Sequence, residues 1–404
     1  MYLIGKKIGV VGGGLVGSLL SLYLKQQGAQ VSVFDKREDI RLDQDLAGRS
    51  INLALSNRGM QALNQVGILE EIMLIAMPMY KRIMHAVDGK LTEQAYGKEG
   101  EAIYSVSRHT LNAKLIELAE NNSVNFSFQT QCLGADINKT KLNFKNSPSL
   151  KFDFIFGADG VGSVIRKTVS KSFPEINIVE DLIDYGYKEL TIPANNDGSH
   201  KLAKDALHIW PRKSYMVIAL PNLDGTFTCT LFSPMKGIFS FESLLNVSDV
   251  DNFFADNFFD LKQLIPDLST QYFNNPLGSL GFISASSWKV KNTFLIGDAC
   301  HATIPFYGQG MNAGFEDCFL LNNHIVKEGS LDSISIDNFL NTRIVDTMAM
   351  QELSRINFIE MRDRTASDDF LLQKKIESWF SANNPDIWTP LYSMVTFSHI
   401  PYSQ

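Results

Sequence analysis

Three glycine-and-aspartate segments carry the residue types on which chemistry could be built. The longest is GDACHATIPFYGQGMNAGFEDC, residues 297–318, in which Asp298 follows a glycine, Gly308 and Gly310 flank Gln309, and Met311 and Asn312 lead into helix-forming residues. A packed core does not ask for such a run. Glycines at this spacing let a ligand come against the backbone, because a Cβ would hold it away. The second segment is Gly12-Gly13-Gly14-Leu15-Val16-Gly17, and the third is Ala158-Asp159-Gly160 with Gly162 just beyond.

Each segment needs elements to place it. KIGVV (7–11) reads as a short buried strand, and Leu15, Leu19, Leu20, Leu22 and Leu24 mark a helix after the glycines. In that setting Gly12 serves the tight turn, Gly14 clears the approach of a pyrophosphate, and Gly17 lets helix and strand pack closely. The phosphates face unpaired N–H groups at the positive helix end. A second strand, in AQVSVFDKRED, ends at Asp35, 23 positions beyond Gly12. A carboxylate there accepts hydrogen bonds from an adenosine ribose and disfavours a 2′-phosphate. The pattern fits NAD and FAD equally. FDFIFGADGVGSVIR (152–166) reads as a further strand with Asp159-Gly160 at its carboxyl end. It either meets the ligand or is an ordinary strand-to-helix loop capped by Ser163.

Between about 185 and 232 the texture changes to YGYKELTIP, ALHIWPR, YMVIALP and TFTCTLF. Period-two alternation broken by turn residues indicates antiparallel strands. The nucleotide half resumes at NTFLIGDA. The expected fold class is therefore α/β: a Rossmann-like dinucleotide-binding domain (1–75, 100–182 and 290–345), an inserted antiparallel-sheet substrate domain (76–99 and 183–289), and a C-terminal helical region (346–404) closing the substrate pocket.

Composition narrows the partners. The 404 residues are 45% hydrophobic and 20% charged with a formal net charge of -7, enough material for a large core and more than one domain. No Lys/Arg-dense block occurs, so nucleic acid is not an expected partner. Cys132, Cys229, Cys300 and Cys318 lie far apart, which suggests neither a disulfide framework nor a metal site and fits a reducing cytoplasm. No window approaches the roughly 18 apolar residues of a membrane span. The opening residues enter the nucleotide motif at once, so no signal peptide is expected.

TFLIGDACHATIPFYGQGMNAGFEDC resembles the flavin-proximal segment of the FAD-dependent aromatic hydroxylases, the group A flavoprotein monooxygenases. The order of the three segments is that family's order. The resemblance implies FAD held tightly but non-covalently, with Asp298 on the ribityl chain and Gly308, Gly310, Met311 and Asn312 against the isoalloxazine. N–H groups at a helix starting near Gly310 would stabilise the negative charge that a reduced flavin carries near N1 and its C2 carbonyl. Leu15, Val16, Lys36, Arg37, Leu55, Arg108 and Asp159 match further cofactor positions, and Pro305, Phe306, Tyr307 and Gln309 match the pocket wall.

GRSINLALSNRGMQAL (48–63), YSVSRHTLN (104–112), LHIWPR (207–212), NFIEMR (357–362) and PLYSMVTFS (390–398) resemble, over nearly the whole chain, the branch of that family acting on L-kynurenine. By that resemblance Arg82 and Tyr96 bind the substrate carboxylate, and Asn357 and Tyr392 hold the amino-acid end. A guanidinium grips a carboxylate through two parallel hydrogen bonds, which suits Arg82 to the role, although the residue by itself reads sooner as a surface arginine. Asn357 borders the apolar stripe Val345, Ala349, Leu353 and Ile356 of a helix, and a backbone hydrogen bond would also explain it. Tyr392 could equally be a core aromatic with a satisfied hydroxyl.

The implied reaction consumes NADPH and O₂ and converts L-kynurenine to 3-hydroxykynurenine through a flavin C4a-hydroperoxide. With one dinucleotide fingerprint present, NADPH is expected to bind transiently. His85 and His301 are read as structural, since this chemistry needs no strong base. Two departures stand out. The chain stops at Gln404, where membrane-bound relatives continue into a hydrophobic tail, so a soluble and bacterial enzyme is expected. Tyr307 replaces a second Phe in the pocket wall. Two rival readings remain open, a monooxygenase of another aromatic acid and a non-catalytic FAD redox sensor, and a homodimer is compatible with either.

Overall fold

The computed structural model describes residues 1–42, 51–332, 335–363, 368–384 and 387–404. The head of the GRSINL motif, 48–50, lies outside them. KIGVV forms the strand Lys7–Val11 at the centre of a six-stranded sheet. It pairs in parallel with Gln30–Phe34 on one side and Phe154–Gly157 on the other, and Phe154–Gly157 pairs in parallel with Thr293–Leu295. These strands are apolar along their length because helices cover the sheet, so both faces are buried. All three glycine-and-aspartate segments leave from carboxyl ends of adjacent parallel strands, where open α/β sheets bind ligands.

A seven-stranded sheet carries the other half. Its order is Gly278–Ala285, Ile178–Ile192, Phe227–Pro234, Tyr215–Pro221, Ala206–Arg212, Lys81–His85, Leu91–Ala95. The expected antiparallel texture over 185–232 is present, but Ala206–Arg212 pairs in parallel with Lys81–His85. The strand Ile178–Ile192 runs through the expected boundary at 182/183, and Met77–Met79, assigned to the substrate half, pairs instead with Ile103–Ser107 in a small sheet that also holds Asn52–Leu55.

The outer face of the large sheet is sealed by the helices Val247–Asn257, Phe259–Leu264 and Leu268–Asn274, with Trp210, Phe253, Phe254 and Phe258 buried between. Its inner face meets the nucleotide half through Phe232, Phe306 and Phe358. The helix Gly310–Glu328 runs back along Leu15–Gln26, and Ser335–Asp363 packs over the Pro305–Tyr307 turn. All four cysteines are buried and free. Among the described residues no helix is long and apolar enough to cross a membrane, and no His/Cys/Asp/Glu group could hold a metal ion.

Candidate active site

At the dinucleotide end, Gly12 has φ +105°, and a Cβ on it would stand 2.4 Å from the Ala158 carbonyl oxygen. On Gly17 a Cβ would fall 2.0 Å from the Gly12 carbonyl oxygen. Gly14 has nothing within 4 Å of a built Cβ, so it opens onto free space, and no side chain caps the helix that begins at Leu15. This is the arrangement a pyrophosphate needs. Val16 is a joint between segments: a Cβ on Gly297 would lie 3.1 Å from Val16 Cγ2, and one on Gly314 only 2.6 Å from it. The two ends of the expected cofactor site therefore meet at one side chain.

Asp35 ends its strand as expected, accepting from Gly13 N at 2.9 Å. Its remaining capacity goes to Arg37, which donates from its backbone N, Nε and a terminal nitrogen at 2.8, 3.0 and 2.8 Å. Burial pushes this carboxyl up, but the Arg37 hydrogen bonds and charge outweigh it and hold Asp35 below the usual range. Lys36 is exposed and Leu55 is fully buried beneath the site. Asp159 accepts from Ser163 Oγ at 2.5 Å and Val164 N at 2.7 Å, while Ser163 Oγ accepts from Arg166 N at 2.9 Å. The capping alternative thus accounts for both residues.

Arg108 opens the helix Arg108–Asn121, exposed towards the inner face of the large sheet. Its charge reaches Glu189, whose carboxyl burial nonetheless lifts to about 7.

At the ring end, Gly297 (φ +61°) precedes the short helix Asp298–His301, and Asp298 is exposed. Pro305, Phe306 and Tyr307 form a single 3₁₀ turn closed by Gly308 at φ +68°, a left-handed conformation that favours glycine. No side chain caps the helix starting at Gly310, where Met311 packs against the main core. Asn312 is fully buried: its Nδ2 donates to Ala54 O and Gly308 O at 2.9 and 2.8 Å, and its Oδ1 accepts from Ser56 N at 2.9 Å. Its side chain holds the loop to the neighbouring strand.

The expected substrate residues come together. The Arg82 guanidinium lies 5.1 Å from the Tyr96 ring centroid and 4.7 Å from that of Tyr392, and the two rings stack at 5.6 Å. Arg82 forms no salt bridge among the described residues, and its Nε is buried without a hydrogen-bond partner there. Tyr307 also stacks on Tyr392, at 5.8 Å. Asn357 donates from Nδ2 to Phe306 O at 2.7 Å, bracing the loop. Phe306 contacts Phe232 and Phe358 at 4.8 and 4.7 Å, building an apolar wall on the inner face of the large sheet.

Both histidines sit away from this pocket. His85 pairs with Asp260 (3.0 Å) and His208 (2.9 Å) and stacks on Trp210, and His301 pairs with Asp317 at 2.5 Å.

Sequence reasoning missed a buried ionic network behind the loop. Arg58 bonds Glu316 at 2.6 Å, and Arg343 reaches Glu316, Asp317 and Asp346 at 2.9, 2.8 and 2.6 Å. The adjacent acids Glu316-Asp317, set between Gly314-Phe315 and Cys318-Phe319-Leu320-Leu321 in the helix, were the available signal.

An open glycine at an uncapped helix start, a second uncapped start behind left-handed Gly308, and a guanidinium without an acid partner among the described residues, beside the two tyrosine rings next to Tyr307, fit FAD with an acidic aromatic substrate. Residues 6–213 and 280–329 match the FAD binding domain family. The protein named kynurenine 3-monooxygenase from Flavobacterium johnsoniae is 49% identical, covering 98% of this chain and 90% of that one. Those of Christiangramia forsetii and Sus scrofa are 47% and 40% identical, each covering 98% of this chain and 90% and 85% of theirs. Among solved structures, 2-methyl-3-hydroxypyridine-5-carboxylic acid oxygenase shares the fold at TM-score 0.72 and 20% identity, covering 90% of this chain and 94% of that one. Klebsiella pneumoniae HpxO, solved with FAD and uric acid, does so at TM-score 0.73 and 18% identity over 95% and 94%. From this agreement of site, fold and sequence, the chain belongs to the kynurenine 3-monooxygenase family, built on the FAD binding domain.

Proposed function

We propose that the protein hydroxylates L-kynurenine to 3-hydroxykynurenine at the expense of NADPH and O₂, with FAD as its bound cofactor. The observation that carries the substrate assignment is Arg82, a guanidinium beside two tyrosine rings with no carboxylate partner among the described residues. A positive charge in such a setting is stable when a ligand supplies the anion. When bound, FAD supplies the redox chemistry, taking electrons from NADPH and transferring one oxygen atom of O₂ to the aromatic ring.

The chain's own residues bind, orient and exclude water. Arg82 fixes the substrate carboxylate, and the Tyr96 and Tyr392 rings flank that end. Phe232, Phe306 and Phe358 face the aromatic ring and keep water from the reacting carbon. Asn357 acts through the Phe306 carbonyl, setting the distance between pocket wall and loop. Gly14 and the start of the Leu15–Gln26 helix receive the pyrophosphate, Gly12 and Gly17 permitting the turn and the close packing behind it, and the start of the Gly310–Glu328 helix faces the flavin. Asp35 reaches the ribose once Arg37 turns aside, and Asp298 takes the ribityl chain. The parallel-sheet half then serves as the FAD domain, the large sheet as the substrate domain, and 346–404 as the cover. Four buried free thiols suit a cytoplasmic location.

Arg82→Ala tests the assignment. The variant should purify with normal FAD content and bind L-kynurenine more weakly by about 2–5 kcal/mol, as expected when a buried charge pair loses one partner. Near-normal kynurenine affinity by equilibrium titration would remove Arg82 from the site. Wild-type NADPH oxidation that does not respond to L-kynurenine would reject the function.

A further inference from the structure

We propose that Tyr402 is a positioning residue for the flavin-facing loop, acting through Gln309. This rests on the reading above that the loop Gly308–Gly310 faces the cofactor. Gln309 is the residue immediately before the Gly310–Glu328 helix and is only 2% exposed. Its Oε1 accepts a hydrogen bond from the Tyr402 hydroxyl at 3.0 Å, and no described residue takes its Nε2. Fixing the oxygen end therefore decides where the amide N–H pair points. It leaves that pair available to an acceptor in the space beside the loop.

The tail that carries Tyr402 is itself held at two points that one ionic network joins. The Arg58 guanidinium lies 3.9 Å over the Tyr402 ring and donates to the carbonyls of Val395 and Ile400. Ser403 donates from its backbone N and its Oγ to Asp346 Oδ1 at 3.0 and 3.2 Å. Arg343 ties Asp346 to Glu316, and Glu316 returns to Arg58. Buried ion networks cost desolvation and are weak evidence for stability, so their attested use is to select one arrangement over others. Here the arrangement selected is one placement of a single phenolic hydroxyl. Among the described residues that hydroxyl hydrogen-bonds the side chain beside the two glycines. A loop with Gly308 and Gly310 on either side of Gln309 has little conformational restraint of its own, so restraint has to come from outside it.

Tyr402→Phe removes the hydroxyl and keeps the ring under Arg58. Three readouts follow: the FAD dissociation constant of stripped protein by flavin fluorescence, hydrogen exchange of amides 305–312 in the FAD-free protein, and steady-state kinetics. The expected result is an FAD dissociation constant raised about 3- to 10-fold, the range a single neutral hydrogen bond produces. Exchange at 308–312 should quicken, and KM for L-kynurenine should stay unchanged while kcat falls. Gln309→Ala should produce the same rise, and adding Tyr402→Phe to it should add nothing, because the two act as one unit. Unchanged FAD affinity with unchanged exchange overturns the proposal, as do additive effects of the two substitutions. If Tyr402→Phe does not fold, Gln309→Ala alone decides: wild-type FAD affinity and exchange in that variant reject the coupling. Failure of the wild-type protein to bind FAD would instead sink the functional reading, and the exchange comparison in FAD-free protein would still judge Tyr402.

Discussion

Glu189→Gln should stabilise the FAD-free protein in alkaline solution. Glu189 stands on the strand Ile178–Ile192 opposite Thr230, and strand alternation puts it on the same inner face as Tyr187. Burial raises its carboxyl from 4.5 to about 7, with Arg108 offsetting only part of the effect. A group whose folded value is raised binds its proton more tightly in the native state, so its contribution is complete below the unfolded value and lost as pH climbs through the folded one. The window is therefore pH 4.5 to about 7. At pH 8 the wild-type protein should have lost at most about 3 kcal/mol through this group, at about 1.4 kcal/mol per pH unit of displacement. Glutamine keeps the shape and the hydrogen-bonding capacity without the ionisation. Urea unfolding of both proteins at pH 5 and pH 8 measures the difference. The variant's advantage should be small at pH 5 and grow by up to about 3 kcal/mol at pH 8. Stability curves that stay parallel across this range would refute the assignment of a proton to Glu189.

Two further outcomes are expected. Asn312→Ala leaves one buried and two part-buried backbone groups without their partner and should lower thermal stability by about 1–3 kcal/mol by calorimetry, with FAD content reduced. Burial pushes the Asp260 carboxyl up, but hydrogen bonds from His85 and Trp210 outweigh it and hold it below 3.8. Its contribution is present above 3.8 and lost as pH falls through the folded value, so Asp260→Asn should cost stability at pH 7 and progressively less as pH falls below 3.8, measured by thermal unfolding across that range.

The nucleotide half was legible because its signals are local. The strand Lys7–Val11 has the bounds that KIGVV suggested, since a parallel strand buried on both faces is continuously apolar. The meeting of Arg82, Tyr96 and Tyr392 came from resemblance, as no spacing links positions on an edge hairpin to a helix some 300 residues later. The first half of Ile178–Ile192 was not legible, because Glu180, Asp181 and Asp184 read as loop residues until their pairing strand is known. Asp35 and Arg37 each matched a cofactor position, yet two residues apart on one turn they also suit each other, and here they pair. Arg58, Glu316, Arg343 and Tyr402 belong to four separate segments, and only tertiary structure makes them a network.

The Val16 joint has a consequence for how this protein tolerates change. Helices that begin at opposite ends of the binding cleft are gauged against each other by one isopropyl group seated in the hollows of two glycines. Bulk can be moved across that contact but not added to it. An alanine at 314 demands a smaller neighbour at 16, so bulk at the one position comes only with bulk given up at the other.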